Sequence, residues 1–210
     1  TWGLLALARH RIADSFPQAE VSAAMRASEQ AARRALALDP REPNALLVLV
    51  LLQGTLDDWF TTDRKLREIL ATAPANLPTL SSLVGITQAS GYVQESWDLN
   101  ERAVAIDPMR PIVQQRKAMK HWILGRPIEA DRVIVRAFEL WPTHPLVWTS
   151  RLLVHAFSGQ VQAARNLIDH HSAAPAMLRP EGVAAWRVFL QALESRSPPA
   201  IDAVRTASLE

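Results

Sequence analysis

Prolines recur at Pro40, Pro74, Pro108 and Pro142 with a constant period of 34, and glycines recur at Gly91, Gly125 and Gly159 with the same period. Each of these glycines stands half a period after one of the prolines. Two residue types that share a period and a phase restrict the fold more than composition does. The chain is built from like units, each stacking on its neighbours. Small residues form a third lattice at Ser28, Thr62, Ser96, Ala130 and Ala164. A fourth runs through Ala35, Ile69, Ala103 and Ala137 and breaks down at His171.

Each lattice has a physical reading. Apolar residues between the marks fall at helical spacing, as in Leu46, Leu49 and Val50, then Leu83 and Ile86, then Trp148 and Leu152. The glycines close the first helix of a unit, where a left-handed C-cap favours a residue without Cβ. The prolines follow the second helix, whose interior they cannot join. Small side chains on the second helix let it approach the first closely. The unit is a helix–turn–helix hairpin that fills one period, and the 210-residue chain holds about six.

This spacing resembles the tetratricopeptide repeat (TPR), with a large apolar residue early in helix A, a turn glycine, small residues in helix B and a terminal proline. Trp148, Gly159, Ala164 and Pro142 match it best, and Trp2, Leu5 and Ala6 look like the opening of the first unit. The resemblance implies an all-α chain, a right-handed α-solenoid of about five TPR-like hairpins over residues 1–172. Residues 173–210 are expected to be capping helices of the same solenoid, or a degenerate sixth hairpin. Ser172 to Gly182 reads as a joint, and Val183, Trp186, Phe189, Leu190 and Leu193 as an amphipathic helix in which Trp186 and Phe189 resemble another helix A. Ser197-Pro198-Pro199 starts a short last helix with a serine cap. Three departures stand out: Asp57 where a turn glycine is expected, an insertion around Ser15-Phe16-Pro17-Gln18, and QQRK at Gln114–Lys117 where large apolar residues are expected.

ALALDP (ending at Pro40) and LDDW (Leu56 to Trp59) are also similar to the repeat region of bacterial winged-helix transcriptional regulators. That resemblance implies a DNA-binding domain upstream, sometimes with a membrane span between. Thr1 is not a methionine and follows no legible leader, so the chain is expected to be a piece of something longer. Localisation stays open, with the cytoplasm favoured and a periplasmic site expected if a membrane span lies upstream.

Composition excludes several classes. Apolar residues make up 49% and charged residues 21%, with a mean hydropathy of −0.01, which is enough apolar material for a core. No run approaches the roughly 20 apolar residues of a membrane span, and without cysteine there is no thiolate metal site. Arginines raise the pI to about 9.5, yet the net charge is only +2 and no Lys/Arg run exceeds the pair Arg33-Arg34. Direct nucleic-acid binding would want a one-sided basic stripe and is not expected.

No catalytic motif is legible, so the chain reads as a non-enzyme without cofactor or metal. His121 and His155 stand one period apart but lack a third ligand, and read as packing residues. His170-His171 reads as a helix C-terminal cation pair, and Asp57-Asp58 as N-cap carboxylates. Of the seven tryptophans, Trp148 and Trp186 fall at packing positions while Trp59, Trp97 and Trp141 fall on helix B or its ends.

In such a solenoid the concave surface is lined by helix A. Repeat phase places there Leu47, Val48 and Leu51, then Ser81, Ser82, Gly85 and Gln88, then Gln115, Arg116, Met119 and Trp122, then Thr149, Ser150, Leu153 and Phe157. The carboxylate clamp of chaperone-binding relatives needs an asparagine where this chain has Leu51, Gly85, Met119 and Leu153, so no such clamp is expected. The groove is apolar with a few hydroxyls, amides and one arginine. It suits an amphipathic helix or an extended apolar segment of a protein partner. The expected function is a non-catalytic interaction scaffold, a module of a larger bacterial regulator. The alternative is a small-molecule-sensing domain controlling an upstream DNA-binding or signalling domain. The N-terminal hairpin, uncapped on one side, is a candidate homodimer contact.

Overall fold

The computed structural model describes residues 1–12, 18–53, 58–169 and 180–207. Outside them lie Ser15 to Pro17 of the insertion, Leu56 and Asp57, the His170-His171 pair, Ser172 to Arg179 of the joint, and the expected boundary at 172/173. The described residues form twelve helices and no strand. None of the helices is long and apolar enough to cross a membrane.

Contacts divide the chain into two compact units, Thr1–Ile106 and Asp107–Glu210. The first holds α1 (Trp2–Ile12), α2 (Gln18–Leu38), α3 (Pro43–Leu51), α4 (Trp59–Thr72), α5 (Leu77–Ala89) and α6 (Val93–Ile106). The second holds α7 (Pro111–Ile123), α8 (Pro127–Leu140), α9 (Pro145–Phe157), α10 (Val161–Asp169), α11 (Pro180–Ser195) and α12 (Pro198–Ala207). Within each unit every odd-numbered helix packs on the next even one as a hairpin, and hairpins stack on their sequence neighbours. α11 and α12 pack on each other as a further pair.

Helix boundaries obey the period. α5, α7 and α9 begin at residues 77, 111 and 145 and end at 89, 123 and 157, while α4, α6 and α8 run 59–72, 93–106 and 127–140. The stops are local. Gly91, Gly125 and Gly159 take φ of +85°, +72° and +79°. The next residue's amide then reaches back to the helix: Tyr92 N donates to Thr87 O, Arg126 N to His121 O and Gln160 N to His155 O, each at 2.9 Å. The starts are local too. Pro43, Pro78, Pro111, Pro127 and Pro145 sit in the first helical turn, where their missing N–H costs nothing. Proline therefore both ends hairpins and opens helices; the sequence reading marks the second role only at Pro198, where α12 begins.

The small-residue lattice is buried throughout, at Ser28, Thr62, Ser96, Ala130 and Ala164, as are Ala35, Ile69, Ala103 and Ala137. Where it carries a serine, the hydroxyl answers a carbonyl on the facing helix: Ser28 Oγ donates to Ala6 O and Ser96 Oγ to Val84 O, both at 2.8 Å. Between these rows runs another the sequence reading did not mark, Ala32, Leu66, Asn100, Ile134 and Ile168, also buried. In the second unit two clusters form the core. One holds Ala118, Ala130, Ile134, Ala137, Val147 and Val154. The other holds Trp148, Leu152, Ala164 and Ile168 against Val183 and Leu190 of α11.

Candidate functional site

In the first unit, the expected groove residues come from α3 and α5, which touch each other. Leu47 and Val48 are fully buried, at 0% exposure, because α1 and α2 both pack on α3. They support the face rather than present it. Leu51, Gly85 and Gln88 are half-buried, Ser81 is buried, and the Ser82 hydroxyl donates to Pro78 O at 3.1 Å. Asp58 caps α4 by accepting from the Thr61 amide at 3.0 Å, and the Thr61 hydroxyl and amide hold its carboxyl below its ordinary pKa.

In the second unit, α7 and α9 pack side by side. Gln115 Nε2 donates to Ser150 Oγ at 2.7 Å, a polar tie between the two helices. Arg116, Thr149 and Leu153 are half-buried, and Met119 and Trp122 lean on the α7–α9 core. Phe157 is 47% exposed. Its ring lies 5.8 Å from Trp122 and 5.5 Å from Phe189, and Phe189 lies 5.5 Å from Trp186. The spacings suit tilted and edge-to-face aromatic pairs, so one aromatic row crosses α7, α9 and α11.

Beside this row opens a pocket of about 680 Å³, lined on one side by Ala156, Phe157 and Val161 and on the other by Phe189, Leu193, Ile201 and Val204. Glu194, Arg196 and Arg205 are also in its wall; Glu194 pairs with Arg165 at 2.7 Å and Arg205 with Asp202 at 3.2 Å. The sequence reading placed Phe157 at this face and gave α11 and α12 to a cap, so it missed Phe189, Leu193, Ile201 and Val204. The signal was present in the likeness of Trp186 and Phe189 to a helix A. The lattice hid it, because Phe189 falls two positions short of a full period after Phe157. The serine cap expected at Ser197 takes another form: its hydroxyl faces Ser195 Oγ at 3.3 Å.

Two cations in this unit are perturbed by burial. Lys120, one turn beyond Arg116 on α7, is fully buried, and loss of hydration lowers its pKa to about 8, with repulsion from Arg116 adding to the shift. Burial also lowers the Arg151 pKa, against the pull of Asp131 and Glu139, and its guanidinium lies 4.2 Å from the Phe138 ring centre. His155 takes part in this network. Its Nε2 accepts from Arg151 Nε at 3.3 Å and, in the tautomer this implies, its Nδ1 donates to Gln160 Oε1 at 2.7 Å. Among the described residues no three His, Asp or Glu side chains gather as a metal site.

Solved structures share the stacked-hairpin arrangement. A thermophilic TPR protein of Thermus thermophilus superposes with a TM-score of 0.63 at 17% identity, over 90% of this chain and 98% of that one. A tetratricopeptide repeat protein from Parabacteroides merdae gives 0.68 at 11% identity, over 100% of this chain and 79% of that one. The fold is that of the tetratricopeptide repeat. PilF of Pseudomonas aeruginosa shares this TPR fold, with a TM-score of 0.63 at 17% identity over 100% of this chain and 91% of that one. No protein-family model and no curated protein sequence matches the chain, so the TPR likeness rests on three-dimensional form. In TPR terms Gly91, Gly125 and Gly159 are the turn glycines, and Phe157 and Phe189 stand on odd-numbered helices, in the helix A role.

Proposed function

We propose that this chain is a non-catalytic protein-interaction scaffold that takes an apolar or amphipathic peptide segment on the second unit's α7–α9–α11 face. The observation that carries the reading is the 680 Å³ pocket at the end of the Trp122–Phe157–Phe189 row. Its volume lies in the roughly 300–1,000 Å³ range of binding clefts, and apolar side chains line most of it. Its wall is rigid on one side, because Ala156 and Val161 pack into the α9–α11 core. A large apolar side chain from a helix or strand fits such a cleft. The likeness of ALALDP and LDDW to regulator repeats supports placing the scaffold within a larger bacterial protein.

The test is fluorescence anisotropy with a panel of labelled amphipathic helical peptides, comparing the native chain with Phe157→Glu and with the Met119→Glu/Trp122→Glu pair. Peptides selected on the native chain are expected to lose at least about tenfold in affinity on either substitution, with helicity by circular dichroism unchanged. Undiminished binding to both variants defeats the reading.

A further inference from the structure

A second pocket, of about 440 Å³, lies between the start of α7 and the second half of α8. It arises from the QQRK departure. Gln114 and Lys117 stand one period after Leu80 and Leu83, which are buried in their own hairpin, and Trp148, also buried, stands one period after Gln114. At Gln114 the fourth hairpin therefore lacks the large apolar side chain that both neighbours bury, and at Lys117 it carries a cation in place of Leu83, as the fifth hairpin does with Arg151. Gln114 turns aside, its Nε2 donating to Pro108 O at 2.9 Å. The space left is walled by Met109, Val133, Ala137, Leu140 and Trp141.

Charge sets what fits there. Lys117, Arg132 and Arg136 all line this pocket, and no carboxylate does. Arg136 also meets the exposed Glu139 at 2.8 Å, which neutralises that guanidinium in part, and Lys117 has an interaction of its own. Three cationic side chains around an apolar, aromatic-walled space select a ligand with an anionic head and an apolar body. We propose that the fourth hairpin binds a small amphiphilic anion, an alkyl or aryl carboxylate or phosphate, with its head among Lys117, Arg132 and Arg136 and its body against Val133, Leu140 and Trp141. The site is separate from the Phe157–Phe189 cleft and does not depend on what binds there.

The probes are decanoate and decyl phosphate, with decyltrimethylammonium as the cationic control, followed by calorimetric titration and tryptophan fluorescence. Either anion is expected to fill one saturable site, to raise the thermal midpoint and to outbind the cation by at least about tenfold; the ratio of the two anions assigns the head group. Lys117→Gln with Arg132→Gln is expected to weaken anion binding about tenfold. Leu140→Glu, at an exposed position, sets a carboxylate in the wall and is expected to abolish it, while Phe157→Glu leaves it unchanged. Equal affinity for anion and cation, binding unaffected by both pocket variants, or an acidic peptide that binds where both anions fail overturns the proposal.

Discussion

Gly3 of α1 leaves the space that the Glu42 carboxylate of the α3 cap occupies: a Cβ on residue 3 would overlap it. That carboxylate accepts from the Ala45 amide at 2.6 Å and from Asn44 Nδ2 at 3.0 Å. An N-cap is worth about 0.5–2 kcal/mol, so the absence of a side chain in one helix protects the start of another.

The coupling is measurable. In the Glu42→Ala background, Gly3→Ala is expected to stabilise the chain by about 0.5–1 kcal/mol through helix propensity. In the native background the same change displaces the cap, so the gain vanishes or reverses. Urea denaturation of the four proteins gives the interaction energy, and an identical effect of Gly3→Ala in both backgrounds removes the argument.

Lys120 makes stability depend on pH. Its folded pKa of about 8 lies below the ordinary 10.5, so the unfolded chain binds more protons between those values. The cost of burying the charged amine is fully present below about pH 8 and fades as pH rises toward 10.5. Stability therefore rises with pH across this window, by up to roughly 3 kcal/mol for this group alone. Lys120→Met is expected to stabilise the chain at pH 7 and to lose that slope. Parallel slopes for the two proteins from pH 7.5 to 10.5 contradict the assignment.

Gly125 is required for its backbone and not for its space. It holds φ of +72°, and no atom lies within 4 Å of where a Cβ would stand. Gly125→Ala is expected to cost about 1–2 kcal/mol and Gly125→Asn less, because asparagine tolerates the left-handed region. Thermal melts of the two variants rank them; alanine at or above asparagine would refute the φ explanation.

Ala130 tests the opposite case, where space is everything. It is fully buried between α8 and α7, among Ala118, Ile134 and Ala137. Ala130→Leu is expected to destabilise by about 1–3 kcal/mol through overpacking, whereas Ala130→Ser should cost much less, since Ser96 occupies the same repeat position in α6 with its hydroxyl on Val84 O. Equal denaturation midpoints for the leucine and serine variants disprove close packing at this lattice.

The turn glycines, the prolines that end hairpins and two of the buried rows were legible in the sequence because each is set by local chemistry. A left-handed φ, a missing amide or a side chain small enough for helix contact is a property of one residue and its near neighbours, and the period repeats it along the chain. Exposure is not such a property. Leu47 and Leu51 look alike in phase, yet Leu47 is sealed by α1 and α2 while Leu51 is half-buried. The four apolar residues of α11 and α12 that complete the Phe157 cleft do not follow the repeat pattern: Phe189 is two positions short of Phe157's period, and Leu193 stands where a turn glycine would fall. Only packing brought them there, because the wall of a cleft is made by whichever helices come to lie beside it. The fourth hairpin shows both sides of the division. Gln114 to Lys117 announced a break in the apolar pattern, and the tertiary structure decided that the break became an open, cation-lined pocket rather than a collapsed core.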